Sequence, residues 1–533
     1  VCGARALGIL VAAAASAALL VPCAQASAQS FSVVIDASLG PFDRGLNLGS
    51  VFEAETAPGS DQLTCRAGFG TRGQTYGSSG SRVLQFTCRR SGDDRVTFES
   101  LGRPMEEAWR PELRTISDGL IDLRSKRIYS NGRWRDYDFG FPQAQGNAIA
   151  TIQRVGNDDI YFLHSSAGAY YQGRKVATYL GSLRTGSYYD GRIYLAYYND
   201  GFFVDVCDWT PAQDRCLNYR SIALPEVGSV IGLTGWRGDL YITGGNVYEE
   251  RRLPLLRIQG GETLDVPYEH FGEPGSTQGQ EFYGTTVVAD RLVAGHYPSG
   301  HVLDFADDPR RSRMVQVPYH PDVDRMPINT RAEGREVQTA ALFGGSIWLG
   351  MWPWGLLMEG DEQLYRWRYH RLFTRPELKS QWLPFQREME RTMAELGDEA
   401  DQRRVFPGRW SQRIVSAAPV VNGFAFALGM YRQDRYDPEV DYRIPREETA
   451  DYGTVKVLRL ADTLAAPIIW PDSGETTLTF TIADGRMSVL QDGVEITSIA
   501  TDLAPERIAG LEIARVGDGL YGAPDEPFYS IAP

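Results

Sequence analysis

The sequence predicts an all-β protein: a β-propeller of six or seven four-stranded blades, with one helical insertion and strand-rich terminal segments. Three observations lead there. The first is a repeated unit. Residues 291–305, RLVAGHYPSGHVLDF, match residues 346–360, SIWLGMWPWGLLMEG, at Gly295/Gly350, Tyr297/Trp352, Pro298/Pro353 and Gly300/Gly355. Each copy is an apolar run, a Pro-x-Gly turn and a second apolar run, which is a hairpin signal. The second is a set of looser copies. Residues 192–206 place Gly201 on Gly300 and Asp205 on Asp304, and residues 159–171 place His164 on His296 and Gly168 on Gly300. Residues 239–248 and 424–431 follow the same outline. The third is the flanking runs. Ser229–Thr234, Thr285–Ala289, Val337–Phe343 and Ile414–Val421 precede copies, and Met314–Tyr319 and Leu364–Tyr369 follow them. Four short strands per unit, at a period of about 40–55 residues, are the pattern of propeller blades.

The remaining segments are justified in chain order. Residues 1–28 carry Arg5, a long apolar run and Ala24-Gln25-Ala26-Ser27-Ala28, the pattern of a secretory signal peptide. Cys23 follows Pro22, where a lipid-anchor motif needs a small residue, so a lipoprotein is disfavoured. Residues 29–110 form an N-terminal β segment, read as part of a seventh blade, an accessory domain, or both. Residues 111–473 form the propeller. Within it, residues 375–403 recur at helical spacing through Trp382, Phe385, Met389, Met393 and Leu396, and read as an amphipathic insertion. Residues 474–533 form a C-terminal β segment that closes the ring or pairs with the N-terminal one.

Charge and cysteines narrow the class. A net charge of −14 repels polyanions on average and argues against nucleic acid. No segment after the leader is apolar and long enough to span a membrane. Cys65, Cys88, Cys207 and Cys216 remain past the leader. An even count in an exported chain predicts disulfides, with Cys65–Cys88 and Cys207–Cys216 the local pairings. The chain is read as secreted or periplasmic, and as a monomer.

The hairpin turns between second and third strands are expected to converge on one face. They bring His164, Tyr197, Tyr198, His296, Tyr297, Trp352, Trp354 and Tyr431 to one mouth. Inner strands begin at the same face, where Glu281 and Glu336 occupy equivalent positions and Arg184, Arg335 and Arg413 lie near comparable starts. Aromatic faces suit sugar rings, and polar groups fix their orientation. The bland alternative is that the aromatics fill space between blades and the histidines cap strands.

Three functions fit that face. The first is β-elimination at a uronic acid in a polysaccharide. His296, Tyr297 and His164 would move protons, and Arg184 or Arg413 would neutralise the carboxylate. The second is glycoside hydrolysis by paired carboxylates, Glu281 and Glu336. The third is a non-catalytic propeller that binds carbohydrate or protein. The first is preferred, with Tyr197, Tyr198, Trp352, Trp354 and Tyr431 as substrate platforms. No cofactor is required. His296 and His301 flank one turn and supply two ligands of a divalent metal site, which needs a third. The exported leader, the blade repeat and the Tyr/Trp-Pro-x-Gly turns together resemble secreted bacterial β-propellers, and more loosely propeller polysaccharide lyases and glycosidases. The resemblance spans residues of about 145–460 and implies the architecture; it transfers no catalytic residue. The S-x-D-x-G-x-T-W box of sialidase-like blades is absent.

Overall fold

In the computed structural model the described residues are 30–38, 49–59, 61–70, 77–78, 83–92, 95–106, 110–164, 168–224, 229–236, 238–245, 255–259, 262–265, 281–288, 291–297, 299–305, 312–319, 335–352, 355–372, 412–429, 451–471, 474–516 and 529–532. They are all-β, apart from two short helices at Pro142–Gly146 and Pro505–Ile508. The leader, the insertion at 375–403, Pro298, Pro353, Trp354 and Tyr431 lie outside these residues.

Five four-stranded antiparallel sheets and one nine-stranded sheet follow one another along the chain; the nine-stranded sheet comprises two antiparallel four-stranded units, IV and V below, and the short strand Gly77–Ser78, which runs parallel to Ser229–Trp236. Sheet I holds Leu113–Ile116, Gly119–Asp122, Arg127–Ser130 and Arg133–Asp136, and sheet II holds Ile149–Val155, Asp158–Leu163, Gly168–Tyr171 and Arg174–Ala177. Sheet III holds Ser182–Tyr189, Arg192–Tyr198, Phe202–Asp208 and Leu217–Ala223, and sheet IV Ser229–Trp236, Asp239–Gly245, Leu255–Gln259 and Glu262–Asp265. Sheet V holds Glu281–Val288, Arg291–Tyr297, Val302–Phe305 and Arg313–Val315, and joins sheet IV through the single pair Gly245–Glu281. Sheet VI holds Glu336–Phe343, Ser346–Trp352, Leu356–Asp361 and Trp367–Arg371. Sheet VII takes Arg413–Val420, Gly423–Gly429 and Val455–Leu460, and its fourth strand, Val96–Gly102, comes from ahead of sheet I.

The first strands are nearly all buried, as Glu336–Phe343 and Arg413–Val420 show, because neighbouring sheets cover both their faces. Their contacts run sheet to sheet. Arg114 Nε donates to Thr151 Oγ1 at 3.2 Å, Gln153 Nε2 to Tyr188 O at 2.7 Å, and Thr234 meets Thr285 hydroxyl to hydroxyl at 2.7 Å. Sheet VII packs on sheet I: Leu113 N donates to Ser416 Oγ at 2.9 Å and Thr115 Oγ1 to Pro419 O at 2.6 Å.

Glycines sit where these strands approach closest. A Cβ on Gly295 would collide with Val337 of the next sheet, and one on Gly350 would meet Ile414 Cβ at 2.7 Å. The hairpin glycines have a different role. Gly168, Gly201, Gly300 and Gly355 all hold positive φ, at 106°, 156°, 63° and 54°, a region that glycine enters at the least cost. The register corrects one expectation. Val155 pairs with Asp158 and Val288 with Arg291, so Leu163, not His164, stands level with His296, and His164 stands level with Tyr297. The one-residue slip arose because the apolar runs of the two hairpins are interchangeable at that step.

The chain ends build two five-stranded sheets. Phe31–Ser38 pairs along its whole length with Glu475–Ala483, and Gly49–Glu55 pairs with Glu512–Val516. The sheets face each other through Phe52 and Phe86 against Phe480, at centroid distances of 5.9 and 5.6 Å. Both disulfides form as expected. Cys65–Cys88 joins paired strands of this sandwich, and Cys207–Cys216 ties the third strand of sheet III to the approach to its fourth. No helix among the described residues is long and apolar enough to cross a membrane.

Candidate functional site

Each of sheets II–VII has two ends. At one end lie the turns between first and second strands, and the terminal sandwich docks there. Asn157, in that turn of sheet II, exchanges two hydrogen bonds with the backbone of Trp470 at 2.8 and 2.7 Å. Gln85 of the sandwich bonds Leu342 O at 3.1 Å and accepts from Gly344 N at 2.9 Å, in the turn of sheet VI. The opposite end, where first strands start and second strands finish, carries the residues with chemical potential.

The registers place equivalent residues at that end on one level. Ser182 pairs with Tyr198, Ser229 with Gly245, Glu281 with Tyr297, Glu336 with Trp352, and Arg413 with Gly429. One or two residues further in, every one of these sheets carries a β-bulge. Bulges bend a strand and re-aim the side chains beside them. Repetition of the bulge gives six sheets the same local geometry, and the side chains then distinguish one from another.

The polar side chains concentrate on sheets V–VII. Glu336 is 6% exposed and Arg413 1%. Arg413 Nη1 donates to Gln338 Oε1 at 3.2 Å and approaches Glu336 Oε2 at 3.5 Å, while Gln338 Nε2 donates to Glu336 Oε2. The Arg413 guanidinium lies over the Trp352 ring at 5.1 Å, and Trp352 lies 6.4 Å from Tyr297. Glu281 is half-buried beside Gly245, where any side chain would strike its carboxylate, and it accepts a hydrogen bond from Tyr283. The two carboxylates therefore have different partners: an arginine and an amide for Glu336, a phenol for Glu281.

The histidines are placed differently. His296 is 1% exposed; its Nδ1 lies 2.7 Å from Ser299 Oγ and its ring packs on Phe282. His301 Nδ1 accepts from Val317 N and faces Arg335 Nη2, both at 3.2 Å. Burial, then the Arg335 charge, pull its pKa down to about 4, so it is neutral at physiological pH. Arg335 also bonds the carbonyls of Ser299, Pro318 and Val317 and stacks on Tyr319 at 4.1 Å, so its donors are spent on the backbone. Burial lowers its pKa to about 10, which leaves it charged. Among the described residues, no group of three or more His, Cys, Asp or Glu is gathered as metal ligands would be.

On sheet III, Tyr197 is buried and donates to Asp205 Oδ1 at 3.0 Å, while Tyr198 is 43% exposed. Arg184, in the bulge of that sheet, extends over Phe202 at 6.0 Å. His164 is half-buried, with its backbone N–H on Ala148 O. Tyr283 and Gln338 were not singled out from sequence. A signal existed: Glu281-Phe282-Tyr283 and Glu336-Val337-Gln338 are the same Glu-x-polar triplet at equivalent strand starts.

No family model and no curated protein matches this chain. Among solved structures, a chain of the nidogen/laminin complex matches with TM-score 0.30 and 11% identity, over 57% of this chain and 93% of that one. The computationally designed Ika8 protein matches with TM-score 0.34 and 9% identity, over 78% of this chain and 100% of that one. Likenesses that slight bear on neither fold nor chemistry.

Proposed function

We propose that the seven four-stranded units form a seven-bladed propeller, with Val96–Gly102 completing the last blade, and that its end away from the sandwich processes a polysaccharide. The ring reading is supported by first strands that pack in succession from sheet I to sheet VII and by the packing of VII on I. Export is supported by two disulfides, which persist in oxidising compartments.

The observation that carries the function is the row Glu281, Tyr297, Glu336, Trp352 and Arg413 on one level of adjacent sheets. Tyr297 and Trp352 are both half-buried; one face of Trp352 carries the Arg413 guanidinium, and the exposed parts of the two rings are available to a sugar. Glu281 and Glu336 form the carboxylate pair. One carboxyl of the pair must give a proton and the other act as base or nucleophile; Arg413 beside Glu336 and the Tyr283 hydroxyl beside Glu281 are the partners each presents.

This favours hydrolysis over elimination. His296, the base that elimination would need, is 1% exposed and bonded to Ser299, against 6% exposure for Glu336 and half-burial for Glu281. The test is a panel of neutral and acidic polysaccharides, assayed for new reducing ends and for the ultraviolet absorbance of unsaturated uronates. Reducing ends without absorbance support the proposal. Absorbance would replace it with elimination, and binding without cleavage would replace it with a binding module.

A further inference from the structure

Resting on that reading, we infer that the rim of sheet III is a separate subsite for a negatively charged sugar, with Tyr198 as platform and Arg184 as the cation, so that the polymer is acidic. Arg184 occupies the bulge between Leu183 and Thr185, which takes its side chain out of the regular pleat. It is exposed, and among the described residues it forms no ion pair. On the same sheet Arg192 pairs with Asp208, and on sheet II Arg174 pairs with Asp214. Arg413 and Arg335 at this end are committed to protein acceptors, as described above. Arg184 thus keeps its fork of donors open in a chain of net charge −14.

The aromatic half of the subsite is adjacent. Tyr198 and Phe202 are a cross-strand pair with rings 5.2 Å apart, edge to face, and Arg184 lies over Phe202. Gly181, at φ +125°, packs against the Tyr198 carbonyl and the Tyr197 ring, where a side chain would clash. The turn beyond Tyr198 exposes Asn199 and Asp200. Asn199 can bond sugar hydroxyls. Asp200 is the one carboxylate of that turn, and Asp205 is occupied by Tyr197. A bidentate guanidinium–carboxylate contact beside a ring face recognises a uronic acid residue.

The experiment uses the full chain carrying Glu336→Gln, which suppresses turnover. Binding of a hexauronate and of a neutral hexasaccharide is measured calorimetrically at low salt. The hexauronate should bind more tightly, Arg184→Gln should weaken it about tenfold while leaving the neutral sugar unchanged, and Tyr198→Ala should weaken both. The subsite is overturned if the hexauronate does not bind, if Arg184→Gln binds it unchanged, or if hexaglutamate competes equally well, which would mark mere charge attraction. The two proposals fail separately. Full activity in Glu281→Gln and Glu336→Gln removes the carboxylate mechanism but not the subsite, whereas unchanged hexauronate binding in Arg184→Gln removes only the subsite.

Discussion

Glu359 sits where the terminal sandwich meets sheet VI, and its protonation should set the acid limit of the fold. It accepts from Arg89 Nη1 and Ser346 Oγ and pairs with His370 Nε2, each at 2.9 Å. Burial alone would push its pKa up; the His370 hydrogen bond and the Arg89 charge outweigh burial and hold it at about 2. The folded value lies below the ordinary 4.5, so the stabilisation is complete above that pH and is lost as pH falls toward 2. His301 acts in the neighbouring window. Its folded value of about 4 lies below the ordinary 6.5, so the unfolded chain takes the proton first and stability is lost as pH falls from 6.5 to 4. Each effect is on the order of 3 kcal/mol. Urea melts of His301→Gln across pH 3–8 should lack the upper slope, and Glu359→Gln should lack the lower one. Loss of both slopes in either variant would contradict the assignment. Arg413→Ala is a harsher change. It leaves Glu336 buried beside Gln338 without its cation, and should cost about 3–5 kcal/mol in the same melts.

At the scale of the element, a glycine in the second strand decides how closely two sheets approach. Gly295→Ala and Gly350→Ala should each destabilise by about 1–3 kcal/mol, because Val337 and Ile414 occupy the space a methyl group would need. Gly59→Ala, with no atom within 4 Å of the added carbon, should change stability by less than about 0.5 kcal/mol. Thermal melts compare the three. These glycines also show what could be read in the sequence. The matches Gly295/Gly350 and Gly300/Gly355 were visible because each answers a backbone requirement that recurs with every sheet, the first for space and the second for positive φ. The placement of Glu281 and Glu336 was legible for the same reason, since hairpins of equal length put them at equal distances from matched turns. The one-residue offset of His164 was not legible, because residues 160–163 are apolar on both faces and leave the register open. The burial of His296 and the engagement of Arg413 and Arg335 were hidden too. They depend on neighbours 3 to 77 positions away, such as Ser299, Pro318 and Glu336, whose side-chain contacts no local pattern encodes.

On the scale of the whole molecule, the two ends of the chain are fastened to the sheets between them. Val96–Gly102 completes sheet VII, and the sandwich holds the turns of sheets II and VI. A fragment of residues 103–533 should lack a cooperative thermal transition, and adding residues 30–102 should restore it; cooperative melting of the fragment alone would show that neither fastening matters. At the opposite end adjacent sheets present Glu281 and Glu336 among Tyr297, Trp352 and Arg413, the row on which the proposed hydrolysis rests. The most direct measurement of that central claim is the cleavage rate of Glu281→Gln and Glu336→Gln on whichever polysaccharide the wild-type protein cleaves, with melting temperatures measured alongside. The account predicts that each rate falls at least about 100-fold while the fold stays intact. Wild-type rates in both folded variants would contradict it.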